Sequence, residues 1–285
     1  MFVKVNGIRL YVDVEGSGLV PDGPRMRQKP TLILLHGGPG ADHSIYKPAF
    51  STLSDIAQII YYDHRGCGRS EDGPRESWTL AQWGDDVKGL CDALGIEKPI
   101  VLGTSFGGFV AQSYATRYPE HAAKLILIST AAKVDFPTIY AAFERFGGTK
   151  AGAAAKAYWS NPSDGTRQIY REICVPLYTP RARGPAEWLP RLISRNETGV
   201  RFNGPNNEQG RFDFRAALAN LNYPVLVMGG EDDPIMPIAF SETIAGSLPP
   251  EHLRFERFAG CGHGIVPDDP ERTLEVLRNF ILADA

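Results

Sequence analysis

Five short apolar runs constrain this chain more than anything else in it. Thr31-Leu32-Ile33-Leu34-Leu35, Ile59-Ile60-Tyr61-Tyr62, Ile100-Val101-Leu102, Leu125-Ile126-Leu127-Ile128 and Val225-Leu226-Val227-Met228 are continuous in apolar character and most are flanked by glycine or proline. A strand with one wet face alternates polar and apolar residues. A strand buried on both faces does not, so these runs predict the strands of a parallel sheet. Helical patterns separate them. Leu80, Trp83, Val87 and Leu90 fall on one face of a helix that Thr79 can cap, and residues 106–117 and 271–282 also read as helices. Strand–helix–strand order predicts an α/β architecture with a doubly wound sheet.

At the N-terminus, alternating Val3 and Val5, an Asn6-Gly7 turn and a returning run over 8–14 predict a hairpin. Residues 16–30, rich in glycine and proline, read as a surface loop. The strand–helix alternation stops between about Val134 and Asn222, where no buried strand is evident. Two units are therefore expected: a core of residues 1–133 and 223–285, and an inserted, mostly helical cap over 134–222. Over residues 131–222 there are 13 Lys and Arg against 8 Asp and Glu, a balance of +5. This is a solvated basic face or an attraction for an anionic group on a substrate.

Composition closes off other classes. With 30 Lys and Arg against 33 Asp and Glu, the net charge of -3 is the opposite of a nucleic-acid binder's basic excess. No run of about 18 apolar residues is present, so no membrane span is expected. The first residues lack the basic region and apolar run of a secretion signal. Cys67, Cys91, Cys174 and Cys261 are widely spaced and form neither a zinc pattern nor a disulfide framework, which suits the cytoplasm. No metal or other cofactor is expected. The expected partner is a small molecule or a short peptide, bound by a monomer or homo-oligomer.

The chemistry gathers at strand ends. Gly103-Thr104-Ser105-Phe106-Gly107 follows a predicted strand and opens a predicted helix, the context of a G-x-S-x-G nucleophile elbow, so Ser105 is the candidate nucleophile. A serine hydroxyl needs a base, and in elbow enzymes the order along the chain is serine, acid, histidine. His263 stands in Gly260-Cys261-Gly262-His263-Gly264, just after the alternating run 253–258, whereas His252 precedes that run and is expected at the opposite edge. Glu231, Asp232 and Asp233 follow the last apolar run and compete for the acid. The backbone N–H groups of Phe106 and of Gly38, within His36-Gly37-Gly38-Pro39-Gly40, are candidates for an oxyanion hole. The phosphate-loop alternative lacks both the G-x-x-x-x-G-K-[ST] and the G-x-G-x-x-G pattern. Within Asp63-His64-Arg65-Gly66-Cys67-Gly68-Arg69-Ser70, Arg65 is expected to pair with Asp63 and brace the loops.

Together these motifs resemble those of α/β-hydrolase-fold serine hydrolases, and within that fold the proline iminopeptidase (prolyl aminopeptidase) family. The resemblance covers about residues 1–133 and 223–285. It implies the α/β-hydrolase fold, a mostly parallel central sheet flanked by helices with an inserted helical cap. It also implies a triad acid four residues before a proline, which selects Asp233 by its spacing from Pro237, and hydrolysis of a small amide or ester bond through an acyl-enzyme. The family holds the substrate's amine with glutamates, one just after the triad acid, where this chain has Pro234. Glu197 or Glu208 would supply another. Gly37, Trp159, Trp188 and Glu208 are the candidate substrate contacts. The alternative activity is that of a carboxylesterase or lactonase, acyl-homoserine-lactone-type substrates included. The non-enzyme alternative is an α/β-hydrolase-fold receptor.

Overall fold

The computed structural model of the protein describes residues 1–181, 189–204 and 207–283. Among the described residues there are ten strands: β1 (Phe2–Val5), β2 (Ile8–Glu15), β3 (Leu19–Asp22), β4 (Arg25–Gln28), β5 (Thr31–Leu35), β6 (Gln58–Tyr62), β7 (Ile100–Thr104), β8 (Lys124–Ile128), β9 (Val225–Gly230) and β10 (Leu253–Phe258). Helices α1 (Leu80–Leu94) and α2 (Phe106–Arg117) join the middle strands. Between β8 and β9 run α3 (Phe136–Ser160), α4 (Asp164–Ile173), α5 (Asn196–Asn203), α6 (Glu208–Arg211) and α7 (Arg215–Leu218). Helices α8 (Ile238–Ala245), α9 (Ile265–Asp268) and α10 (Pro270–Leu282) complete the chain.

Eight strands form one sheet in the order β1-β2-β6-β5-β7-β8-β9-β10. β1, β2 and β6 pair antiparallel, and every pair from β6 to β10 is parallel. Side-chain alternation divides the core between the two faces. Ile33, Leu35, Val101, Leu125, Leu127, Val225 and Val227 join the apolar cluster beneath α1 and α2. Leu32, Leu34, Ile100, Leu102, Ile126, Ile128, Leu226 and Met228 join the cluster beneath α10. Because both faces are covered, the five runs carry no polar–apolar alternation to betray their period. The α1 face Leu80, Trp83, Val87, Leu90 is buried, and Thr79 Oγ1 accepts from the Gln82 N–H at 3.2 Å.

The hairpin turns through Asn6 and Gly7, both at positive φ (45° and 82°), with Val5 opposite Ile8. The stretch 16–30 departs from the expected loop, since β3 and β4 form a separate antiparallel hairpin. Most of its residues are exposed, so no apolar alternation reports it. The turn signal is Asp22-Gly23, with Gly23 at φ 58°. No helix among the described residues is long and apolar enough to cross a membrane.

Candidate active site

Parallel strands bring their carboxyl ends to one edge, and the candidate residues stand on three of those ends. Ser105 follows β7, Asp233 follows β9 and His263 follows β10. His252 precedes β10 and therefore lies at the opposite edge, as its sequence context predicts.

Ser105 has φ 55° and ψ -120°, a conformation that costs a non-glycine residue on the order of 1–3 kcal/mol. The surrounding bonds hold it there. Its N–H donates to the Ile128 carbonyl at 3.0 Å, and its own carbonyl accepts from Thr130 Oγ1 at 2.8 Å and from the Gly108 N–H at 2.9 Å. A side chain at Gly107 would collide with the Leu35 carbonyl oxygen, so only glycine lets α2 pass so close to the end of β5. Ser105 is 9% exposed. The Phe106 N–H stands at the first position of α2, where no intrahelical acceptor exists. The Phe106 ring is fixed by edge contacts with Trp83, Phe202 and His64.

Of the three competing carboxylates, Asp233 is the one that meets the histidine. Its Oδ2 accepts from His263 Nδ1 at 2.8 Å, while its Oδ1 accepts from the N–H groups of Ile235 and Met236 at 2.9 and 2.8 Å. Asp233 is buried. Since a carboxylate accepts, His263 carries its proton on Nδ1 and leaves Nε2 as the basic nitrogen. The loop after β10 is anchored from the inserted segment. The His263 N–H donates to the Tyr178 carbonyl at 2.7 Å, and the Tyr178 ring stands edge-on to the imidazole at 5.1 Å.

The glycine loop after β5 passes beside the serine: a Cβ at Gly37 would lie 3.5 Å from Ser105 Cβ. Gly38 takes φ 137°, which excludes a side chain. A buried histidine pair, missed at the sequence level, holds this loop. His36 Nδ1 donates to the Gly37 carbonyl at 2.8 Å, and His36 Nε2 accepts from the His64 N–H at 3.2 Å. His64 Nε2 donates to the His36 carbonyl at 3.3 Å, and His64 Nδ1 accepts from the Tyr62 hydroxyl at 2.9 Å. These roles are consistent for two neutral rings, and burial lowers the pKa of both. With the Gly37 carbonyl held on one side of a planar peptide, the Gly38 N–H faces the other. The available signal was Tyr62-Asp63-His64, directly after a buried strand.

Arg65 does not pair with Asp63. It forms a buried bidentate pair with Asp86 of α1, through Nε to Oδ2 and Nη2 to Oδ1, both at 2.8 Å. Asp63 instead accepts from His43 Nδ1 at 2.6 Å and from the Arg69 N–H at 2.8 Å. Burial alone would raise the Asp63 carboxyl, but the His43 hydrogen bond helps bring it down to about 2. Arg65 and Asp86 stand 21 residues apart, and nothing in the sequence pattern pairs them.

The remaining expected contacts divide. Trp159 belongs to an aromatic cluster with Phe136, Tyr140, Phe143, Tyr158 and Tyr170, and Tyr170 reaches the Tyr178 hydroxyl at 2.7 Å. Glu208 has both oxygens engaged, one accepting from the Leu80 N–H at 3.0 Å and the other from Arg211 at 2.5 Å. Glu197 pairs with Arg75 at the surface. Trp188 lies outside the described residues.

This arrangement is that of a hydrolase family. Residues 30–270 match the alpha/beta hydrolase fold model, and the chain belongs to that family. It is 28% identical over 261 residues to a putative carbamate hydrolase RutD of Caulobacter vibrioides, covering 88% of this chain and 90% of the relative. It is also 28% identical over 274 residues to a proline iminopeptidase of Lactobacillus delbrueckii subsp. bulgaricus, with the same coverage of 88% and 90%. Among solved structures it is similar to a proline iminopeptidase of Mycobacterium smegmatis, with TM-score 0.77 and 24% identity over 99% of this chain and 97% of that one.

Proposed function

We propose that this chain is a serine hydrolase that cleaves a small ester or amide through an acyl-enzyme. The 2.8 Å Asp233–His263 hydrogen bond, at the same sheet edge as the strained Ser105, carries the reading. Ser105 Oγ attacks the substrate carbonyl carbon as His263 Nε2 takes its proton. Asp233 orients the imidazole and stabilises its cation. The negative charge that develops on the carbonyl oxygen is met by the N–H groups of Phe106 and Gly38, each worth about 10²–10³ in rate. His263 then returns the proton to the leaving group. Water, deprotonated by the same nitrogen, releases the acid and restores Ser105.

Within this class the ester or lactone reading is favoured over the aminopeptidase one. A free α-amine needs a carboxylate. Glu197 and Glu208 are committed to Arg75 and to Leu80 with Arg211, and Pro234 stands beside the triad acid. Residues 134–222 act in this reading as a cap that closes over the site. Labelling with a fluorophosphonate and turnover of p-nitrophenyl acetate, a small lactone and proline p-nitroanilide test the proposal together. Modification at Ser105 with ester or lactone turnover is expected. An unlabelled Ser105 in folded protein would favour a receptor, and anilide turnover alone would restore the peptidase reading.

A further inference from the structure

Above the glycine loop lies a cation that the hydrolytic machinery does not use. Arg167 stands on α4 three residues before Tyr170, and residues three apart share a helix face. Through Tyr170 that face reaches the Tyr178 hydroxyl, and through Tyr178 the ring of His263. On its other side Arg167 Nη1 donates to the Asn196 carbonyl at 3.0 Å. A Cβ at Gly199 would stand 3.3 Å from this nitrogen and 3.4 Å from the Pro39 carbonyl oxygen. The guanidinium is thus set between the aromatic stack over His263 and the loop beside Ser105.

Among the described residues its charge has no ion-pair partner. No carboxylate among the described residues comes within 4.0 Å of it. Asp164 attracts it weakly from the start of its own helix, Arg171 opposes it, and Tyr158 and Tyr178 are near enough to feel its field. Burial is the largest influence on it and lowers its pKa. The neighbouring cluster also holds a buried donor, the Trp159 indole N–H, that has no hydrogen-bond partner among the described residues. A half-buried cation without an anion is costly, and the cost is recovered when an anion arrives. One guanidinium balances one negative charge, and its planar fork matches the two oxygens of a carboxylate.

We infer that Arg167 is the specificity-determining residue of this site and receives a carboxylate carried by the substrate. The inference rests on the serine-hydrolase reading for its turnover consequences but not for its binding consequences. The +5 balance over residues 131–222 then draws such anions toward this site.

The test compares charged and neutral ester pairs of matched shape. 4-Nitrophenyl hemisuccinate against 4-nitrophenyl butyrate places the charge on the acyl side. 4-Acetoxybenzoate against 4-acetoxytoluene places it on the leaving group. In Arg167→Met, kcat/KM for the charged member of at least one pair should fall about 10- to 100-fold, the neutral members staying within about threefold. Arg167→Lys should retain part of the preference. Charged and neutral members falling together, or neither changing, would overturn the inference. A binding arm uses Ser105→Ala protein titrated with succinate and with 4-hydroxybenzoate. One of the two should stabilise it against heat, and adding Arg167→Met should abolish the effect. Stabilisation that survives in the double variant also overturns it. If Ser105→Ala retains full turnover, the hydrolytic reading fails while the titration still judges Arg167.

Discussion

At the scale of single residues, the site depends on which atoms are engaged and which are left open. Asp233 commits Oδ1 to two backbone N–H groups and Oδ2 to His263, so it cannot rotate away from the imidazole. Asp233→Asn keeps the shape but presents an amide that can donate to Nδ1, favouring the tautomer with its proton on Nε2. Ester turnover is expected to fall about 10⁴-fold with little change in melting temperature. Steady-state kinetics beside a thermal melt checks both halves, and a variant that keeps even a tenth of the activity would contradict the assignment. Asp232 shows why sequence left this choice to family spacing: it is one residue away and carries the same side chain, yet its N–H is tied to the Cys261 carbonyl while Asp233 faces His263.

Between elements, the decisive contacts join segments far apart in sequence. Arg65, after β6, and Asp86, in α1, form a buried bidentate pair that fastens the loop to the helix, and Trp83 Nε1 adds a bond to the Arg65 carbonyl at 3.1 Å. Removing one member leaves the other charged and buried. Asp86→Asn should therefore destabilise the protein by about 3–5 kcal/mol, read as a lowered urea midpoint with an unchanged slope. The double replacement Arg65→Met with Asp86→Leu should recover much of that loss, because no uncompensated charge remains. A double variant as unstable as the single one would show that the pair acts through shape instead. The segment between β8 and β9 is fastened to the loops after β5 and β6 by hydrogen bonds. The Arg195 N–H donates to the Gly40 carbonyl at 2.7 Å, and Thr198 Oγ1 to the Gly66 carbonyl at 2.5 Å.

For the molecule as a whole, the buried histidine pair sets the response to acid. His36 and His64 are held neutral in the folded chain, with pKa values below the ordinary 6.5. Below about pH 6.5 the unfolded chain binds protons that the folded chain refuses, so stability falls as pH falls. The slope is about 1.4 kcal/mol per pH unit for each such histidine. The stabilisation from Asp63 persists until the pH drops below its ordinary 3.8 toward about 2, so the histidines act first. Urea midpoints between pH 7.5 and 5.5 should decrease steadily, and His64→Gln should make the decrease shallower. A flat profile over that interval would mean that the pair takes up protons without unfolding.

The linear chain determined the sheet and the elbow and singled out Ser105 and His263 as candidates, while the choice of Asp233 among three carboxylates came from family spacing. Continuous apolar runs and glycine spacing around Ser105 are local patterns, the order serine, acid, histidine is a pattern along the chain, and parallel strands bring the candidates to one shared edge. The exposed β3–β4 hairpin was not legible, because strands that bury nothing leave no apolar period. Partners were not legible either. That Arg65 meets Asp86, that His36 and His64 clamp the Gly37 carbonyl and that Arg167 meets no carboxylate among the described residues are outcomes of packing between distant segments. Charge type is written in each residue, but the pairing of charges, and hence which one is left for a ligand, is decided only when the chain is folded.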